Sequence, residues 1–303
     1  LQMRKAGCVG AKTIHSLIYT AISNEDGTVS FALDRDSEAK DAGLIVVDEC
    51  SMVDEAMVND LLSFGRPLLV LGDPAQLPPV GGDGVLTNAE PDAMLTEIHR
   101  QAADNPIIRL ATDIREGRGY DWGDMGEAVR VVRPGTLEVH EVCWFDQLLC
   151  GTHKRRLAYI PRMRQHLGFG DGLPKFGERL ICTRNERRLN IFNGGMFLVS
   201  SVKPLKQSVS MTVLSQDSIA AHSVKVKVRR ELFEGGAEKL HWKAHKGHQQ
   251  FDFGYAITVH KAQGSQWDNV LVYDEADVFR EHANRWRYTA FTRAAEKLTV
   301  VKP

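Results

Sequence analysis

The sequence predicts an α/β fold built on parallel sheets, and three observations carry that prediction. Residues 44–51 (Leu-Ile-Val-Val-Asp-Glu-Cys-Ser) and 68–80 (Leu-Leu-Val-Leu-Gly-Asp-Pro-Ala-Gln-Leu-Pro-Pro-Val) each begin as a short apolar run and stop abruptly at polar residues. That is the pattern of a strand buried on both faces of a parallel sheet. Strand-then-helix units recur towards the C-terminus, at 146–166 and from 253 onwards. Between them, residues 196–228 alternate β-branched and polar side chains, as a small antiparallel sheet does. A length of 303 residues is enough for about two domains with proper cores.

Composition narrows the class. The chain is 43% hydrophobic and 25% charged, as soluble globular domains are. It has no apolar run long enough to span a bilayer and no visible secretory signal. The net charge of −1 gives no global basic signature, but the distribution is uneven. Residues 154–188 hold ten Lys/Arg against three Asp/Glu, whereas 25–60 is mostly acidic. This asymmetry suits a metal-handling first half and a nucleic-acid-facing second half. The five cysteines (Cys8, Cys50, Cys143, Cys150, Cys182) form no Cys-x-x-Cys pair, which argues for free thiols in a reducing compartment.

In open α/β sheets ligands sit at the carboxyl ends of the strands. Asp48-Glu49 and Asp73-Pro74-Ala75-Gln76 should therefore share one edge. Asp48 can hold a hydrated magnesium ion, Glu49 can orient and deprotonate a water, and the Gln76 amide can reach that water or a terminal phosphate without adding charge. Taken alone, Asp48 and Glu49 could equally serve the N-terminus of the next helix, which Asp54 caps.

Asp48-Glu49-Cys50-Ser51 resembles motif II of superfamily 1 helicases, and residues 72–80 resemble their motif III in the RecD/Dda-like form. The resemblance implies two RecA-like parallel-sheet domains of the P-loop NTPase type, with ATP and Mg2+ between them and single-stranded DNA across their top. On this basis residues 1–119 are a first, incomplete RecA-like domain, and 120–303 are a second of the UvrD-like C-terminal type. Within the nucleotide site the resemblance assigns Asp73 to nucleotide binding beside Asp48.

Taken in order, residues 11–17 (Ala-Lys-Thr-Ile-His-Ser-Leu) resemble motif Ib, in which Thr13 and His15 can donate to DNA phosphates. Residues 19–42 read as a hairpin subdomain turning at Asn24-Glu25-Asp26-Gly27. Related helicases use a hairpin here as a wedge, but this tip is acidic and carries no aromatic. Arg100 resembles the motif IV arginine, and a guanidinium suits bidentate phosphate contact. Residues 106–115 form an amphipathic helix stopped at Gly117. The strand 146–150 leads into a basic helix start, where Thr152, Lys154 and Arg155 are candidate DNA-backbone contacts. The β insertion at about 194–252 matches an SH3-like module in related helicases. His241, His245 and His248 are weak evidence for a metal.

Residues 253–268 resemble motif V. There Thr258 and His260 suit DNA phosphates, and Gln263-Gly264 suits close approach to a nucleotide, since glycine lacks a side chain. Residues 285–294 resemble motif VI, whose Arg293 is the arginine finger reaching from the second domain to ATP held by the first. Tyr288 and Phe291 are expected to pack the helix. Gly-x-x-x-x-Gly-Lys-Ser/Thr is missing from these 303 residues. The family places that loop upstream of motif Ib, so the expectation is an N-terminally truncated helicase, inactive as this fragment.

The function implied is an ATP-dependent, 5′-to-3′ translocase that unwinds duplexes at single-strand/double-strand junctions. It would work in the cytoplasm of a bacterial or phage-infected cell, beside replication or recombination proteins. A non-catalytic single-strand-binding remnant and the motor part of a helicase-nuclease remain open.

Overall fold

Helix α1 (Ile14–Ile18) begins at Thr13, whose hydroxyl accepts from the Ser16 N–H. The computed structural model describes residues 3, 7–23, 29–79, 84–95, 104–216, 222–236, 240–245 and 247–303. From α1 the chain runs straight into an antiparallel hairpin, β1 (Tyr19–Ser23) with β2 (Val29–Leu33). The predicted hairpin has its strands, while its acidic tip lies outside the described residues.

Next come β3 (Ile45–Val47), α2 (Glu55–Leu62) and β4 (Leu68–Val70), with β3 and β4 paired in parallel. Asp54 caps α2 by accepting from the Met57 N–H at 2.8 Å. Ile45, Val47, Met57, Val58 and Leu61 close a core with Ile18. Burial of these strands on both faces was expected, and the structure corrects this. Ile45 and Val47 are 6% and 3% exposed, but Val46 and Leu69 are 44% and 46% exposed. Successive strand residues face opposite ways, and among the described residues the packed core covers one face only.

Helix α3 (Pro106–Arg115) starts at Asn105, which accepts from the Ile107 N–H at 2.8 Å, with Pro106 in the first helical position where its missing N–H is harmless. Its apolar stripe of Ile107, Leu110, Ala111 and Ile114 follows helical spacing. That stripe is buried against Trp286, Phe291 and Leu298, not against the β3–β4 core. A boundary after residue 119 would group this helix with the first unit, whereas its packing ties it to the second.

The rest of the chain forms β5 (Gly123–Met125), β6 (Val129–Val132), β7 (Gln147–Cys150), α4 (His153–His166), β8 (Arg179–Cys182), β9 (Met196–Pro204), β10 (Ser208–Ser215), β11 (Ser223–Arg229), β12 (Phe251–Phe253), β13 (Ala256–Thr258), α5 (Val259–Ala262), β14 (Trp267–Tyr273), α6 (Ala283–Phe291) and β15 (Ala294–Val301). One sheet runs β13-β7-β14-β15-β6-β5, parallel throughout except at the β5 edge. Its strands carry the continuous apolar runs of a sheet covered on both faces.

Strands β8 to β12 form a separate antiparallel sheet in the order β11-β10-β9-β8-β12, inserted between α4 and β13. This sheet includes β8, upstream of the expected 194–252. In β11 the alternation is plain: Val224, Val226 and Val228 are buried while Lys225 and Lys227 are exposed. A buried network ties α4 to the inserted sheet. Arg164 donates to both Glu178 oxygens at 2.7 and 3.0 Å, and the Tyr255 hydroxyl donates to one of them at 3.1 Å. No helix among the described residues is long and apolar enough to cross a membrane.

The β3 and β4 ends approach closely at one glycine. A Cβ built on Gly72 would lie 2.3 Å from Cys50 Sγ and 3.2 Å from the Cys50 nitrogen. Gly72→Ala is expected to cost about 1–3 kcal/mol of stability by overpacking, read as a lower urea midpoint. Cys50→Ala, which removes the sulfur, should relieve most of that loss. An equal loss in both backgrounds would contradict the contact.

Candidate functional site

The acidic edge is built by two strand ends. The ladder between β3 and β4 extends one step beyond the strands: Leu71 N–H donates to Val47 O at 2.8 Å and Cys50 N–H to Leu71 O at 3.1 Å. Between those bonds the chain turns sharply at Glu49, whose φ of 55° and ψ of 50° are left-handed. A glutamate rarely adopts that conformation, and such residues cluster at functional sites. Asp48 stays exposed, with Oδ1 accepting from the Glu49 N–H at 3.0 Å.

Asp73 anchors the opposing turn, accepting from the Ala75 N–H on Oδ1 at 2.9 Å and from the Gln76 N–H on its carbonyl at 3.1 Å. The Cys50 thiol registers this concentration of charge. Burial pushes its pKa up, and the carboxylates of Glu49, Asp48 and Asp73 push it further. Gln76 is buried with its Oε1 unpartnered. An unmet buried acceptor costs roughly 1–3 kcal/mol, and a site awaiting a polar ligand would account for it.

The second unit grips this turn. Leu77, 1% exposed, donates its N–H to Thr289 Oγ1 at 2.9 Å, and its carbonyl accepts from Gln263 Nε2 at 2.9 Å. The Tyr288 hydroxyl donates to Asp73 Oδ2 at 2.5 Å. Tyr288 was expected only to pack its helix, so the hydrogen bond adds a polar role.

One turn further, Arg293 is 8% exposed. It donates to Thr289 O at 3.0 Å, Ser265 O at 3.2 Å and Thr292 Oγ1 at 3.1 Å. Among the described residues it has no carboxylate ion pair. Burial lowers its pKa, while the negative charges of Glu49 and Asp73 oppose that shift. A guanidinium remains charged under such conditions, so the structure brings a buried cation within electrostatic reach of the acidic edge.

Five other predicted residues line one cavity of about 1140 Å³: Thr13, Thr258, His260, Gln263 and Gly264. Thr13 comes from the start of α1, and the others from the end of β13, from α5 and from the residues just after it, so the cavity lies between the two units. Gln263 and Gly264 thus share a wall with the residues predicted for DNA. His260 rests on Phe279 with ring centroids 5.5 Å apart, and Phe279 stacks on the fully buried Trp286 at 5.8 Å.

The remaining predicted residues lie elsewhere. His15 is exposed and packs on the hairpin rings Tyr19 and Phe31 at 5.2 and 5.8 Å. Lys154 is exposed on α4. Thr152 and Arg155 are engaged by Glu275. Its carboxylate accepts from the N–H groups of Gly151 and Thr152 at 2.9 and 3.1 Å, from Thr152 Oγ1 at 3.2 Å and from Arg155 Nε at 3.2 Å. An internal carboxylate therefore fills the anion-binding start of α4. Sequence reasoning missed Glu275; the available signal was an acidic pair, Asp274-Glu275, at the end of an apolar strand. Arg100 lies outside the described residues.

Burial lowers the pKa of His260. The unfolded chain then binds a proton below about pH 6.5 that the folded histidine resists. The contribution is intact above that pH and is lost as pH falls towards the depressed folded value. His260→Asn is expected to weaken the decline of urea stability on acidification. An unchanged decline would contradict a neutral, half-buried His260.

Comparison with known proteins agrees with this geometry. Residues 253–301 match the UvrD-like helicase C-terminal domain, and residues 2–133 match an AAA domain. The chain is 30% identical over 282 residues to the ATP-dependent RecD2 DNA helicase of Deinococcus radiodurans, across 84% of this chain and 35% of that protein. It is 25% identical over 305 residues to the RecBCD enzyme subunit RecD of Mycobacterium tuberculosis, across 85% of this chain and 49% of the relative. The chain thus spans half or less of the curated relatives it matches.

In fold it is similar to a Pif1 helicase solved in a study of DNA unwinding at forked dsDNA (TM-score 0.58, 18% identity, 97% of this chain and 80% of that one). It is also similar to Bacteroides Pif1 in complex with ADP-AlF3 and ssDNA (TM-score 0.54, 16% identity, 98% and 82%). These likenesses support the RecA-like reading of the two parallel sheets. The ordered motifs, the gripped turn at Leu77 and these relatives converge on one similarity, to the RecD-like superfamily 1 helicases.

Proposed function

We propose that this chain is the motor portion of an ATP-dependent DNA helicase that moves 5′ to 3′ on single-stranded DNA and opens duplexes at junctions. In this reading residues 1–119 and 120–303 are its two RecA-like units, with α3 of the first packed on the second, and with the antiparallel sheet β8 to β12 inserted in the second. The observation that carries it is Arg293, a buried guanidinium without a carboxylate partner among the described residues, within electrostatic reach of Glu49.

When bound, ATP with Mg2+ supplies the phosphoryl group to be transferred and a cation to neutralise its charge. Mg2+ characteristically takes one or two carboxylates and keeps waters and phosphate oxygens for its other positions. The exposed carboxylate of Asp48 fits that demand. Glu49 accepts the proton of the attacking water. The unpartnered Gln76 oxygen orients that water, and Asp73, held by Tyr288, fixes the turn that carries Gln76. Arg293 stabilises charge developing on the transferred group, as arginine fingers do. Arg100 would add a second guanidinium, and Gln263 and Gly264 would border the nucleotide.

Single-stranded DNA would follow the cavity wall, with phosphates on Thr13, Thr258 and His260 and flanking contacts from His15 and Lys154. For Thr152 and Arg155 to join them, a phosphate must displace Glu275. We also propose a cytoplasmic location and work beside replication or recombination proteins. A subunit role is supported by the similarity to a relative described as a subunit of the RecBCD enzyme.

The test is Glu49→Gln in the full-length enzyme, since these 303 residues contain no P-loop lysine motif. DNA-stimulated hydrolysis is expected to fall by roughly 10²-fold or more, with nucleotide binding retained. Turnover at the wild-type rate would remove Glu49 from the catalytic role.

A further inference from the structure

Phe192 is an aromatic of the second unit that lines the cavity between the units. It lies in the loop from β8 to β9, and that loop is cross-braced by hydrogen bonds. Glu186 and Ile191 form an antiparallel bridge, with N–H···O distances of 2.8 and 3.2 Å. Asn190 closes the turn in a left-handed conformation, φ 54°. The Asn193 N–H donates to Asn185 Oδ1 at 2.7 Å, and Gly194 N–H and Cys182 O pair at 2.8 Å. Ile191 is fully buried in the core of the inserted sheet. Its neighbour Phe192 is only half-buried, belongs to no apolar core cluster among the described residues, and lines the 1140 Å³ cavity between the units.

The surroundings say what that ring could meet. The same cavity is lined by Thr13, Thr258 and His260, donors suited to phosphate, and by Lys261. The Lys261 ammonium donates to Asn193, next to Phe192, so the loop is tied to the turn that carries Thr258 and His260. Trp267, another aromatic on this wall, packs against the parallel-sheet core. A groove offering phosphate donors on one side and an aromatic ring outside the apolar cores on another is how single strands are bound without sequence preference.

We propose that Phe192 is a base-stacking platform, receiving the π-face of a nucleobase whose backbone runs past Thr258 and His260. This rests on the single-strand-binding reading above and assigns a residue that no motif marks. The cross-braced loop holds the ring in place before DNA arrives, so little ordering is needed on binding. Stacking on a phenyl ring accepts any base, as a translocating motor requires.

The test uses fluorescence anisotropy of the full 303-residue chain on a labelled oligo-dT strand and on a strand of equal length with abasic sites. Wild type is expected to prefer the strand with bases. Phe192→Ala and the size-conserving Phe192→Leu should bind oligo-dT roughly 5- to 100-fold more weakly and lose most of the preference, while Phe192→Trp keeps it. Urea midpoints establish that each variant is folded.

Variants that discriminate as wild type does would overturn the stacking role while leaving single-strand binding intact. Phe192→Leu at wild-type affinity would reduce the ring to apolar filling and overturn the proposal. Failure of wild type to bind either strand would overturn the groove reading itself, and the stacking role with it.

Discussion

Leu77 sits in a turn of prolines and polar residues, yet both of its backbone polar groups are held by the other unit of the molecule. The Thr289 hydroxyl accepts from its N–H, and the Gln263 side-chain amide donates to its carbonyl. A buried backbone group left unpaired would be costly, and the second unit supplies the partners that let the motif III turn be buried at Leu77. The same turn carries Asp73 and Gln76, and Arg293 lies just past the end of α6, the helix that supplies Thr289. The relative position of the acidic edge and the buried cation is held by these two hydrogen bonds, by the Tyr288–Asp73 bond and by the packing of Leu77 in the core of the second unit.

Electrostatics reinforce this arrangement. Desolvation works against the charge on Arg293, and the nearby carboxylates work in its favour. Its direct partners are two carbonyls and a hydroxyl, all neutral acceptors. Such a group gains most from an anion arriving in the cleft, and that differential gain is what a phosphoryl-transfer site requires. The start of α4 shows the opposite solution. Glu275 already satisfies its N–H groups and Arg155, so that cradle has no comparable need of an external anion.

Local signals made much of this legible in the sequence. The apolar runs ending at Asp48 and Asp73 marked parallel strands and their functional ends, and the spacing of Ile107, Leu110 and Ile114 marked a helix. The alternation in 196–228 marked the antiparallel sheet. What the sequence left hidden depends on tertiary neighbours. The apolar run at 44–47 does not say whether one face or two are covered, and Val46 and Leu69 proved exposed. The stripe on 106–115 does not say which core it joins, and it joined the second. Tyr288 looked like packing until its hydroxyl met Asp73, a residue far away in the chain. Glu275 and Phe192 carry no motif, and their placement beside α4 and in the cavity appears only once the sheets are assembled.

Amide hydrogen exchange at Leu77 in the 303-residue chain is the most direct test of the docked arrangement. Its N–H should be strongly protected, exchanging with the core of the second unit, and Thr289→Val should release it selectively. Exchange at the rate of a free loop amide in the wild-type chain would mean that the turn is not held. The geometry linking Glu49 to Arg293 would then lose its foundation.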